Sequence, residues 1–137
     1  MECAKKRADP IISVSENGRT FRLDNPKRRD IVQVKVDGCL IKDERERCDY
    51  LFEVPTPTIR VCYVELKGKY IEKAIQQIIS TLQHTQKDYA GHDKEAYIVC
   101  SRVPAASPAS QALQIRLQRD YKARLKIKTT ELTVNVP

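Results

Sequence analysis

Residues 47–67 read Arg-Cys-Asp-Tyr-Leu-Phe-Glu-Val-Pro-Thr-Pro-Thr-Ile-Arg-Val-Cys-Tyr-Val-Glu-Leu-Lys, and the reading of the whole chain turns on them. Two runs rich in β-branched and aromatic residues, 47–54 and 59–67, flank Pro55-Thr56-Pro57-Thr58. Two prolines in four residues remove ladder donors and fix φ, so this segment connects two strands. Pairing symmetrically about Pro57 sets Asp49 opposite Glu65, Leu51 opposite Tyr63 and Arg47 opposite Lys67. Side-chain alternation then puts Asp49, Glu65 and Lys67 on one face. Cys48, Tyr50, Phe52, Val54, Cys62, Val64 and Leu66 fall on the other, an apolar face that must be core.

Two carboxylates directly opposite each other repel, and a purely structural hairpin would avoid the pair. A divalent cation uses such a pair, because it wants hard oxygen ligands with water completing the shell. A neighbouring lysine suits phosphate chemistry, where it orients a water or stabilises charge on phosphoryl oxygens. The tripeptide Glu-x-Lys says little alone: with nine Glu and thirteen Lys in 137 residues, about one match is expected from composition. Asp120-Tyr121-Lys122 is a looser match and reads as helical. The weight rests on the position of Glu65-Leu66-Lys67 at the end of an apolar strand, with an acid in register on the preceding one. The bland alternative is a solvated salt bridge between Lys67 and one of the acids. Glu53 shares the face of Asp49 but lies further down the strand.

Outward from the hairpin, Ile71, Ala74, Ile75, Ile78 and Leu82 fall at i, i+3, i+4, i+7 and i+11, one apolar helical stripe. Asp88 to Lys94 is a polar loop, and Glu95–Ser101 holds a buried strand. Ser107-Pro108 supplies an N-cap and a first-turn proline for a helix over roughly 108–124, and 126–136 reads as a last strand. Upstream, Ile31–Val36 alternates as a strand with Val32, Val34 and Val36 on one face, ending at Asp37-Gly38; residues 42–46 form a charged loop. Residues 1–30 read as an irregular basic segment. Within it a short hairpin turns at Asn17-Gly18, and Lys27-Arg28-Arg29 forms an exposed basic corner. Strands, helix, strand, helix, strand imply a single α/β domain over 1–137, with a mixed central sheet flanked by helices.

Cys48-Asp49-Tyr50-Leu51-Phe52, then Tyr63-Val64-Glu65-Leu66-Lys67-Gly68 and a helix, resembles the core of the PD-(D/E)xK nuclease superfamily. This is the restriction-endonuclease-like fold that includes Holliday-junction resolvases and RecB-type nucleases. The resemblance covers roughly residues 31–101 through a short, degenerate motif. It implies that Asp49 and Glu65 bind Mg²⁺ or Mn²⁺, that Lys67 assists the attacking water, and that DNA phosphodiester hydrolysis leaves a 5′-phosphate. Several branches carry Gln in the following helix, often as Gln-hydrophobic-x-x-Tyr. Gln77-Ile78-Ile79-Ser80-Thr81 is similar, with Thr81 where tyrosine would stand. Gln77 lies off the apolar stripe and is free to face the site, whereas Gln76 reads as solvated. Many members also use an acid from an N-terminal helix, and none precedes residue 31. Asp37 is the substitute on offer, although a plain Asp-Gly turn is the better reading of it. A nuclease-fold module without turnover, binding nucleic acid or protein, is the competing reading.

The net charge is +7, from 25 basic and 18 acidic residues. Residues 1–30 carry +3 and 101–137 carry +5, around a centre of −1 over 31–100. Basic ends suit a polyanionic partner, because neutralised phosphates release counterions. If the second helix continues to residue 126, Arg116, Arg119, Lys122 and Lys126 fall within an arc of about 120° opposite Leu113, Leu117 and Tyr121. That ridge is the candidate nucleic-acid surface, and a homodimer is compatible with it. No apolar run is long enough to span a membrane, and the N-terminal residues lack a signal peptide's apolar core, which places the chain in the cytoplasm. Five widely spaced cysteines without a Cys-x-x-Cys pair, and two isolated histidines, read as reduced thiols, with Cys48, Cys62 and Cys100 in the core, rather than a zinc site.

Overall fold

The computed structural model describes residues 3–55, 59–66, 70–102 and 107–137. Lys67 and most of the 55–58 connection therefore lie outside the described residues. Alternation in the central hairpin produces strands β5 (Tyr50–Pro55) and β6 (Ile59–Glu65). Their register is the one symmetric pairing demands: Leu51 faces Tyr63 and Phe52 faces Cys62. Both of its faces are covered. Leu51, Val61 and Tyr63 pack under helix α1 (Ile71–Thr85), whose stripe Ile71, Ala74, Ile75, Ile78 and Leu82 is entirely buried. Phe52, Val54, Cys62, Val64 and Leu66 form the second core on the opposite face. Cys48 departs from the expected alternation and packs beneath α1, its amide bonded to Thr81 Oγ1 at 2.9 Å.

Six strands make the main sheet, in the spatial order β1 (Ala4–Arg7), β4 (Ile31–Lys35), β5, β6, β7 (Asp93–Cys100) and β8 (Ala123–Thr129). β1, β4, β5 and β6 are antiparallel neighbours; β6, β7 and β8 run parallel, so the sheet is mixed and the class is α/β. Helix α2 (Pro108–Tyr121) starts as its capping residues dictate: Ser107 Oγ accepts from the Ser110 amide, with Pro108 in the first turn. It packs Leu117, with Leu113 and Tyr121, into the same core as α1.

Two expectations need correction. The helices do not cover both faces of the sheet. Both lie on one, and the other is covered by a second sheet of β2 (Ile11–Glu16), β3 (Arg19–Asp24) and β9 (Glu131–Asn135). Its anchor is Phe21, fully buried, with its ring 5.6 Å from that of Phe52 and 5.3 Å from that of Tyr97. Residues 1–30 are accordingly not irregular, since β1, β2 and β3 fall within them. The β2–β3 hairpin turns at Asn17 and Gly18, both at positive φ, as a two-residue Asn-Gly turn requires. The expected last strand is two: Thr130, at φ 65°, breaks it, and the chain leaves the large sheet for the small one.

Cysteine usage also divides. Cys48, Cys62 and Cys100 are free and buried, as expected, but Cys3 and Cys39 form a disulfide. It joins β1 to the turn after β4, two segments that only the folded sheet brings together. No helix among the described residues is long and apolar enough to cross a membrane.

Candidate active site

Asp49 sits where β5 begins, and its backbone ties three strands together. Its amide donates to Val64 O (3.1 Å), and its carbonyl accepts from the Val36 (3.0 Å) and Asp37 (3.4 Å) amides. Asp49 Oδ2 accepts from the Leu66 amide at 2.7 Å. This charge-assisted bond helps a carboxylate tolerate burial to 5% exposure. Glu65 ends β6, is paired with Ile98 of β7 and is fully buried. The two acids therefore belong to the same face and the same end of neighbouring strands. The regular ladder begins at Tyr50, one residue beyond Asp49.

Asp49 lines a polar cleft of about 250 Å³ together with Asp37, Arg47, Lys73 and Gln77. Gln77 is half-buried there, one helical turn after Lys73 on α1, while Gln76 is exposed. Thr81 fixes the helix against the strand end: its hydroxyl donates to Gln77 O (2.9 Å) while accepting from the Cys48 amide. Asp37 pairs with Arg47 Nε at 2.7 Å, so the Asp-Gly turn brings its carboxylate to the cleft as an ion-pair partner, beside the loop acids Glu44 and Glu46. The loop after it is held by the amides of Gly38, Leu40 and Ile41 bonding back within residues 35–41.

Sequence reasoning missed Lys73. The signal was present, because Lys73 and Gln77 are four residues apart and share a helix face. It missed Arg47 as the partner of Asp37, for which no local spacing exists. Among the described residues no group of three or more His, Cys, Asp and Glu side chains is placed to share one metal ion. Asp49 shares its cleft with Gln77, and Glu65, at the same end of the neighbouring strand, is the residue that would complete a pair of hard oxygen donors. That set fits Mg²⁺, which takes one or two carboxylates and keeps several waters.

The expected basic ridge does not form on one helix. α2 ends at Tyr121, and Lys122 caps it in the left-handed conformation (φ 53°). Lys126 is an exposed residue of β8. The left-handed cap at Lys122 ends the helix that such a ridge requires. Arg116 and Arg119 remain exposed on α2, but both approach Asp120, at 3.7 and 2.8 Å, which offsets part of their charge. The outward face of β8 instead presents Arg124, Lys126 and Lys128.

Comparison with protein-family models, curated proteins and solved structures finds no match.

Proposed function

We propose that this chain is a metal-dependent nuclease of the restriction-endonuclease-like fold that hydrolyses DNA phosphodiester bonds. One observation carries the reading: two buried carboxylates from the same end of neighbouring strands, one of them opening to a polar cleft walled by Lys73 and Gln77. Burying two carboxylates is costly unless they serve a bound cation or are neutralised by partners.

In this reading Asp49 and Glu65 hold Mg²⁺ or Mn²⁺. The bound ion supplies Lewis-acid stabilisation of the phosphoryl oxygens and a water of lowered pKa. Lys67 assists the attacking water. Gln77, held by Thr81, orients that water or the phosphate, and Lys73 offers a cation to a phosphate oxygen. Attack at phosphorus breaks the bond to the 3′ oxygen and leaves a 5′-phosphate. Arg116, Arg119, Lys122 and Lys126 contact the DNA backbone from two separate elements.

Plasmid and branched DNA incubated with Mg²⁺ or Mn²⁺ test this. Cleavage is expected to fall about 10²–10³-fold in Glu65→Gln and in Lys67→Ala. Folded protein that cuts neither DNA nor RNA, and that gives no Mn²⁺ binding by electron paramagnetic resonance, would refute the reading.

A further inference from the structure

At the opposite end of the strands from Asp49 lies a larger cleft of about 620 Å³, and four cations line it: Lys6, Lys27, Arg28 and Arg29. The geometry points to this cleft as a second docking site for the DNA backbone, gripping phosphates away from the scissile bond. This inference rests on the nuclease reading for its substrate and adds to it where the substrate is held.

The first support is construction. Asn25, fully buried, clasps the basic loop from inside. Its Nδ2 donates to Asp9 O (3.1 Å) and Arg29 O (3.0 Å), and its Oδ1 accepts from the Arg29 amide (3.1 Å). The Asn25 amide reaches Pro10 O at 2.7 Å, and the Arg28 amide reaches Asn25 O at 3.0 Å. Arg28 is held at φ 49°, a left-handed conformation that any residue with a Cβ disfavours. The fold thus keeps an arginine where glycine would be unstrained, and fixes the loop so that its side chains project from a set frame. Preorganised cations bind phosphates with less loss of freedom than mobile ones.

The second support is placement. Lys6, Val32 and Glu53 are successive partners across β1, β4 and β5, so they share one face. Glu53 and Pro55 have the parity of Asp49, which makes this the face of the candidate site. From Asp49 to Pro55 is six residues along the chain, about 20 Å at 3.3 Å per residue. That distance is about six base steps of duplex DNA. The strands between them lie under α1, so a duplex that reaches both clefts passes over this helix-covered side of the sheet.

The charge balance favours an anion. Asp30 and Glu53 also line the cleft, leaving four positive charges against two negative. Glu53 is already engaged, since Tyr89 donates its hydroxyl to Glu53 Oε2 at 2.6 Å. Lys6, Lys27 and Arg28 are exposed and free to meet a phosphate.

The test measures binding of a labelled duplex about two turns long to the full chain in EDTA, as a function of salt. The variants are Lys6→Gln/Arg28→Gln and a charge-matched control, Lys5→Gln/Lys35→Gln, on the opposite face of the same strands. Two lost phosphate contacts should weaken binding about tenfold or more in 0.1 M salt and flatten the log–log salt slope by about 2. The control should change far less. Equal losses in both variants, or none in the cleft variant, overturn the proposal, as does wild-type protein that binds no duplex. The two readings fail separately. Duplex binding that depends on the cleft without any cleavage sinks the nuclease alone, and metal-dependent cleavage with an unaffected cleft variant sinks the cleft alone.

Discussion

Replacing Cys3 and Cys39 by alanine opens the covalent link between the edge strand β1 and the turn that carries Asp37. The bridge spans a sequence separation of 36. Cross-linking a loop of that length lowers the entropy of the unfolded chain by about 13 cal/mol/K, or about 3.8 kcal/mol at 25 °C. For 137 residues, an unfolding entropy of about 2.1 cal/mol/K per residue converts this to a fall in Tm of about 13 °C. The effect should lie in stability and not in the shape of the site. The turn keeps its own amide bonds, and Asp49 O still receives the Val36 and Asp37 amides. Calorimetry should therefore show the double variant and reduced wild type melting together, well below the oxidised protein, with Mn²⁺ binding below the melting transition unchanged. Melting within about 2 °C of the oxidised protein would refute the loop-closure reasoning. Titrating thiols supplies an independent check: the unreduced, denatured chain should expose three, and the native chain almost none, because Cys48, Cys62 and Cys100 are buried.

Thr81→Val keeps the shape of a buried side chain while leaving the Cys48 amide without its acceptor. A loss of about 1–3 kcal/mol is expected in urea unfolding, with Thr81→Ser recovering most of it; a valine variant as stable as wild type would mean the bond contributes nothing. Stability should also fall under alkaline conditions. Burial pushes the Cys62 thiol up to about 12 from an ordinary 9.0, and it raises Cys48, Tyr63, Tyr89 and Tyr97 as well. The unfolded chain then releases these protons first, so the stability is fully present below about pH 9 and is lost as pH rises through 9 and 10. Urea midpoints that stay level to pH 10.5 would contradict the assignment of these groups to a dry core.

The central hairpin was legible because everything that specifies it is local. An apolar face of period two, interrupted by two prolines, admits one register, and a slip of one residue would turn Phe52, Cys62 and Val64 out of the second core and send carboxylates of the other face into it. The α1 stripe was legible for the same reason, since a repeat of 3.6 residues marks a helix wherever it docks. The Asn-Gly turn and the Ser-Pro start of α2 are likewise written within four residues of chain. Helix length was less legible, because Lys122 ends α2 through a left-handed cap that the charge periodicity of Arg116, Arg119 and Lys126 does not reveal.

The site divides along the same line. Sequence alone placed Asp49 and Glu65 on a common face and left Gln77 free to join them. Alternation gives the face of a side chain but not what will cover it. The pairing of β3 with β9, Thr20 beside Glu131, joins residues from opposite ends of the chain, and no periodicity encodes such a choice. Only the folded sheet set Cys3 against Cys39 and Arg47 against Asp37. Only the docking of α1 on β5 and β6 brought Lys73 to the cleft of Asp49, because packing of apolar surfaces, and not local propensity, decides which elements meet.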